Sequence, residues 1–418
     1  MPPVREWCRS PLSRLLLLYN KGNNLISRED LELLPSFIYL DNSATTPVLP
    51  EIAATVHKML TENFGNPSSL HGLGIAAERV LTGARRQVAA LINVQPDEIY
   101  FTSGGTEANN WAIWGVSRTR RRQGKHIITT AVEHSSLLAA CQRLEREGYE
   151  VTYLPVDSRG VIRLDDLEAA LREDTILVSI MSVNNETGAI EPVAEAARIV
   201  HSKSRALFHV DHIQGYGKVA LDCRTMGIDL MSLSAHKIHG PKGVGALYIK
   251  GGVPLEPLLV GGNQEAGRRA GTENTAGIAA FGLAADLASA NMEARVATMR
   301  RIKTELAARL LQAIPEARIN GPLAEEGAPH ILNVSFPGVR AEVLVHMLEQ
   351  KGIFVSTGSA CHSRKQEASH VLKALNLEPW RLEGAIRISL GALNTLDEVE
   401  PVVAAVKECV MELWALTK

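Results

Sequence analysis

From Tyr39 onward, short apolar runs bounded by turn residues alternate with stretches in which apolar residues recur every three or four positions. The runs have the length of buried strands, and the longer stretches have the period of helices that bury one face. Strands are predicted at 98–102, 126–130, 150–154, 175–181, 207–211, 230–234 and 245–248, seven in all. Helices are predicted at 50–64, 74–91, 106–122, 135–147, 164–170 and 193–202. Most of them fall between strands, and such alternation stacks into a mostly parallel sheet. One long helical pattern then covers 276–312, followed by strands at 331–335 and 385–389 and helices at 341–351 and 396–416. The change of pattern predicts a domain boundary near 292, with an α+β domain after it. There are no internal repeats or low-complexity tracts.

Composition narrows the class. A length of 418 residues favours two domains, and 45% apolar with 22% charged residues is ordinary for a soluble globular protein. The net charge of -2 makes no electrostatic case for nucleic acid or an anionic membrane as partner. No stretch approaches the roughly 18 apolar residues of a membrane span. Cysteines stand at positions 8, 141, 223, 361 and 409, an odd number without CxxC spacing. That argues against a disulfide framework or a metal site and for a reducing, cytoplasmic setting. Cys141, Cys223 and Cys409 sit in apolar patterns and are expected to do no more than pack. Residues 1–36 read as a poorly ordered extension or an upstream start rather than a targeting peptide, because no small-residue cleavage site follows the Leu15–Leu18 run and Glu6 interrupts the basic character.

The chemistry concentrates at predicted strand ends. In Ser234-Ala235-His236-Lys237-Ile238-His239-Gly240-Pro241, a lysine stands between a strand and a Gly/Pro turn. A cleft there would lower its amine pKa by desolvation, as a lysine that bonds carbonyl groups requires; alone, the segment also fits a surface turn. Asp211 ends another strand, where a carboxylate can pair with a pyridinium nitrogen or cap a helix. Thr102-Ser103-Gly104-Gly105-Thr106-Glu107 runs from strand through glycines into a helix, a junction that offers N–H groups and a helix dipole to an anion. His134 opens a helix after a strand, so it either caps the helix or stacks on a ring and moves protons. Asn185, in Asn184-Asn185-Glu186-Thr187-Gly188, either serves only its turn or is placed to bond a phenolic oxygen.

With Tyr39-Leu40-Asp41-Asn42-Ser43-Ala44-Thr45-Thr46-Pro47, Gly65-Asn66-Pro67-Ser68-Ser69-Leu70-His71 and Arg268-Arg269-Ala270-Gly271-Thr272-Glu273-Asn274, these motifs resemble the class V aminotransferase-like fold. Within it they resemble the cysteine desulfurases of the nitrogen-fixation and iron-sulfur-cluster types, from about Tyr39 to Leu416. The resemblance implies an α/β, type I pyridoxal-phosphate-dependent transferase fold: a large domain, 52–292, with a seven-stranded mostly parallel sheet, and a small α+β domain of 37–51 and 293–418. It implies pyridoxal 5'-phosphate bonded to Lys237 and contacted by Asp211, Gln214, Gly105, Thr106, His134, Asn185, Ser234 and His236. Thr272 would touch the phosphate of a second copy, hence a homodimer.

The residue that marks a desulfurase is Cys361, in Ser356-Thr357-Gly358-Ser359-Ala360-Cys361-His362-Ser363. Small residues around the thiol suit a segment that swings a nucleophile into a site. By resemblance, Arg387 binds the substrate carboxylate and Asn42 also contacts substrate. Lys237, Cys361 and His134 then take sulfur from L-cysteine, leaving L-alanine and a persulfide on Cys361 for an acceptor such as an iron-sulfur scaffold or a thiouridylase. Selenocysteine lyase, a plain class V aminotransferase and a non-enzymatic sulfur carrier are the rival readings. Two departures stand out. His212 replaces a small residue expected against the cofactor ring, and the chain stops soon after its closing helix, without the tail by which the iron-sulfur type holds its scaffold protein.

Overall fold

The structure, a computed structural model, describes residues 37–357 and 369–416. Cys8, Cys361 and the N-terminal extension lie outside the described residues. In chain order the elements are β1 (Ile38–Tyr39), α1 (Pro50–Thr61), α2 (Gly72–Ala90), β2 (Ile99–Thr102), α3 (Gly105–Thr119), β3 (His126–Thr130), α4 (Ser135–Arg146), β4 (Glu150–Leu154), α5 (Leu164–Ala170), β5 (Thr175–Met181), α6 (Val193–Lys203), β6 (Leu207–Asp211), α7 (Cys223–Met226), β7 (Leu230–Ser234) and β8 (Gly245–Ile249). There follow α8 (Thr275–Ser289), α9 (Met292–Ala313), β9 (Arg318–Ile319), β10 (Ile331–Ser335), α10 (Ala341–Gln350), β11 (Ile353–Phe354), α11 (His370–Ala374), α12 (Pro379–Glu383), β12 (Ala385–Ser389) and α13 (Val399–Leu416).

The seven predicted strands form one sheet in the order β2-β8-β7-β6-β5-β3-β4, in which β8 runs against both of its neighbours and the other pairs are parallel. A parallel sheet is covered on both faces, so its central strands carry continuous apolar runs, and every residue of β5 is buried. Alternate residues serve opposite faces: Val178 and Ile180 join the core under α2 and α8, whereas Leu177 joins Trp111 and Leu137 beneath α3 and α4. Cys141, Cys223 and Cys409 are buried free thiols within these cores and that of the C-terminal elements.

A separate core gathers Leu40 with α9, α10, α13 and the antiparallel sheet β12-β10-β9. The long helical pattern over 276–312 is two helices, α8 and α9. Asn291 takes a left-handed backbone, φ 58°, and the Arg295 guanidinium donates to the carbonyls of Leu287 and Ala288 at the end of α8. The break redirects the chain from one core to the other: Ile278, Phe281 and Ala285 of α8 pack under the large sheet, while Met299, Ile302 and Leu306 of α9 pack under β10 and β12. The carboxyl ends of β3, β5, β6 and β7 face this second layer, and in open α/β sheets such an edge is where ligands bind.

Candidate active site

A cavity of about 420 Å³ opens at that edge, walled by Lys237, Asp211, His134, Asn185, Gln214, Ser234, His236, Gly105, Thr106 and Arg387 among others. β7 delivers Ser234, and a single helical turn, Ala235–Lys237, carries the chain on to the lysine. The turn packs tightly: a Cβ on Gly240 would lie 2.8 Å from the Ala235 carbonyl oxygen. The Lys237 ammonium donates to the carbonyls of Ser43 and, at 2.8 Å, Ala44. Behind it the buried Lys218 donates to the Lys237 carbonyl at 2.7 Å. Burial, and then the nearby Lys237 and Arg295 charges, push the Lys218 ammonium down to about 7.

Asp211 ends β6 at the cavity wall, 4% exposed, with Oδ2 accepting from Asn109 at 2.8 Å and Oδ1 from the Ile213 N–H at 3.0 Å. The glycine junction after β2 leads into α3. A Cβ on Gly105 would lie 2.1 Å from Ile213 Cδ1, so a larger residue there would have to displace the Ile213 side chain from the cavity wall. Ser234 Oγ and Gln214 Oε1 are buried without a partner among the described residues. Gln214 donates its amide to the Ser43 carbonyl at 3.0 Å. The His236 ring meets Thr45 Oγ1 at 3.2 Å; burial, and next Lys237, push it down to about 3, so it stands neutral.

His134 does both things its position allows. Its Nδ1 accepts from the Ser136 N–H at 3.2 Å and caps α4, while its ring lines the cavity. A nitrogen that accepts from an amide carries no proton in the neutral ring, so the hydrogen is on Nε2. Burial lowers its pKa, opposed by Asp211 and assisted by Lys237 and His370. Arg387 arrives from the other layer: on β12, 2% exposed, it donates to Asp41 Oδ1 at 2.8 Å and to the Asn185 carbonyl at 2.9 Å.

Three residues singled out in the sequence do not line this cavity. The Asn42 amide is spent on the carbonyls of Tyr39 and Ser389 and on Asn394, behind the cavity wall. His212 does not line the cavity. Asp211 and Ile213 face the cavity, and the residue between them turns the other way, its ring on Ser182 Oγ at 2.7 Å and edge-on to Tyr216. Thr272 is exposed and stands in a separate cleft beside Ser103, Gly243 and Asn274. Arg269–Glu107 and Arg85–Glu265 ion pairs hold that loop, at 2.9 and 2.7 Å. Burial alone would raise the Glu107 carboxyl, but its bonds from Arg269 and Ser103 outweigh this and hold it below the usual carboxylate range.

Met181, Ile213, Glu186 and His370 also line the cavity and were not foreseen. His370 opens a helix of five residues, too short to show a period, and its only sequence signal is the capping serine before it. Cys361 lies outside the described residues, but both flanks of its segment adjoin the cavity: Ser356 pairs with Arg387 across a β-bridge, and His370 lines the wall.

The Aminotransferase class-V family matches residues 38–402. A cysteine desulfurase IscS of Methanosarcina thermophila is 46% identical over 376 residues, covering 90% of this chain and 92% of that protein. Among solved structures, a NifS-like protein is 40% identical with a TM-score of 0.85, covering 90% of this chain and 100% of its own. SspA in complex with cysteine is 32% identical with a TM-score of 0.74, covering 85% and 99%.

Proposed function

The chain belongs to the class-V aminotransferase family, and we infer that it is a cysteine desulfurase, taking sulfur from L-cysteine with pyridoxal 5'-phosphate and leaving L-alanine. The observation that carries this reading is the meeting of Lys237, Asp211, His134 and Arg387 in one cavity, in a chain matched over 90% of its length to a cysteine desulfurase. The residues present fit the cofactor. Ser234 Oγ and Gln214 Oε1 are buried polar atoms in want of a partner, and Gly105 and Thr106, which open α3, line the cavity where a helix N-terminus can take a phosphate. Gly105, Thr106, Ser234 and His236 would hold the phosphate, Asp211 the ring nitrogen, Asn185 and Gln214 the ring's polar edge, and Lys237 the covalent link, with His134 stacked on the ring. When bound, the cofactor supplies an electron sink for the substrate α-carbon.

The side chains do the rest. Arg387, oriented by Asp41 and the Asn185 carbonyl, takes the substrate carboxylate in its planar fork. Lys237, steadied on two carbonyls, removes the proton from the α-carbon. Cys361 attacks the substrate sulfur as thiolate: the S–S bond forms, the C–S bond breaks with its electron pair left on carbon, and that carbon takes a proton to become alanine. His134 Nε2–H is the proton donor in the wall.

The persulfide passes to an acceptor protein in iron-sulfur cluster assembly or tRNA thiolation, in the cytoplasm. A homodimer belongs to the same reading, supported by Thr272 standing exposed and away from its own cavity, as a residue serving another copy would. The test is product analysis with L-cysteine and reductant. Equimolar sulfide and alanine without any keto acid are expected. Alanine that appears only with an added keto acid would make the protein an aminotransferase, and faster turnover of selenocysteine a selenocysteine lyase.

A further inference from the structure

We propose that His370 is a second acid–base group of this site and accepts the proton of the substrate thiol; the proposal rests on the desulfurase reading. His370 lines the cavity with Lys237, His134 and Arg387. Its Nε2 lies 3.0 Å from the Glu133 carbonyl oxygen. A carbonyl only accepts, so Nε2 carries the hydrogen, and in the neutral ring Nδ1 carries the lone pair. No described residue bonds Nδ1. His134 has the opposite tautomer, with Nδ1 held by the Ser136 N–H and the hydrogen on Nε2. One imidazole thus carries a free N–H donor and the other a basic nitrogen, and both rings line the same cavity, the complement that acid–base chemistry on one sulfur requires.

The placement is fixed from three sides. Ser369 Oγ donates to Glu186 Oε2 and caps α11 at the Leu372 N–H, and Val371 and Leu375 pack on Val132 and Met181. The titratable and charged groups on the surrounding elements are Glu133, His134, Glu186, Asp211, Lys237 and Arg387. Burial, and next Asp211, hold the Glu133 carboxyl well above its usual range. In the proposed step the S–H bond of the substrate breaks as the Cys361 thiolate forms the S–S bond, and an N–H bond forms at His370 Nδ1. The S–H electron pair stays on the sulfur that becomes the outer sulfur of the persulfide, while the C–S pair leaves with carbon. The proton transfer itself moves no electrons between groups.

His370→Gln separates this role from a structural one, because a glutamine amide can still donate to the Glu133 carbonyl but has no basic nitrogen. We expect sulfur removal from L-cysteine to fall by roughly 100-fold or more. The pH dependence of kcat/KM should change from the wild-type form in His370→Gln, and exogenous imidazole should restore part of the rate to His370→Ala. Exchange of the α-hydrogen of L-alanine with solvent, which involves no thiol, should continue in His370→Gln. Wild-type rate and pH profile in His370→Gln, or loss of alanine exchange together with sulfur removal, would overturn the proposal. Sulfide release by the wild type is scored separately, so failure of the desulfurase reading shows in that chain and failure of the His370 assignment only in the variants.

Discussion

His209 and His212 flank the strand end that presents Asp211, and both are buried neutral rings. His209 bridges Ser179 and Ser232 at 2.7 and 2.9 Å, and burial pushes each imidazole down to about 3. In the unfolded chain such rings protonate near pH 6.5. Below that pH the unfolded state binds more protons than the folded one, so the stability these rings contribute is full above about 6.5 and is lost as pH falls toward 3. At pH 5 each costs about 2 kcal/mol relative to pH 7. His212→Gln should therefore flatten the fall of the thermal midpoint between pH 7 and pH 5; an unchanged slope would remove the buried ring as its source. Lys237, Asp211 and the Gly105 turn were legible in the sequence because strand ends and glycine punctuation announce themselves locally. The direction of His212 was not legible because which way a residue turns, one position from Asp211, is decided by packing with distant residues such as Ser182, just as the Asn42 amide is held by the distant Ser389 carbonyl.

At the scale of elements, the seven strands were legible because continuous apolar runs between helical stretches leave few alternatives. The break inside 276–312 was not legible in the apolar pattern because the periodicity runs through a turn made by backbone handedness. A left-handed L-residue costs about 1–2 kcal/mol, and asparagine bears it better than most. Asn291→Ala should lower stability by about 1 kcal/mol in denaturant unfolding, with Asn291→Gly close to wild type. An alanine variant as stable as the parent would mean that the redirection between the two cores does not depend on that residue. The two-residue strands β1 and β11 and the five-residue helix α11 are below the window in which any period can be read.

For the whole molecule, the site exists only where the two layers meet. Lys237 and Asp211 come from the large sheet, Arg387 from the antiparallel one, and Asp41 with Ser43 and Ala44 from the strand and turn that begin the described chain. Motifs at residues 41–47, 211, 237 and 387 are far apart in sequence, so their convergence followed from the family resemblance and not from any local pattern. The central claim is that sulfur passes from L-cysteine to Cys361 by way of the Lys237 site. The most direct test is mass analysis of the Cys361 peptide after brief exposure to L-cysteine without reductant. A gain of one sulfur atom on Cys361, reversed by a thiol and absent from Lys237→Ala, is the predicted result. An unmodified Cys361 in a wild type that still releases alanine would contradict it.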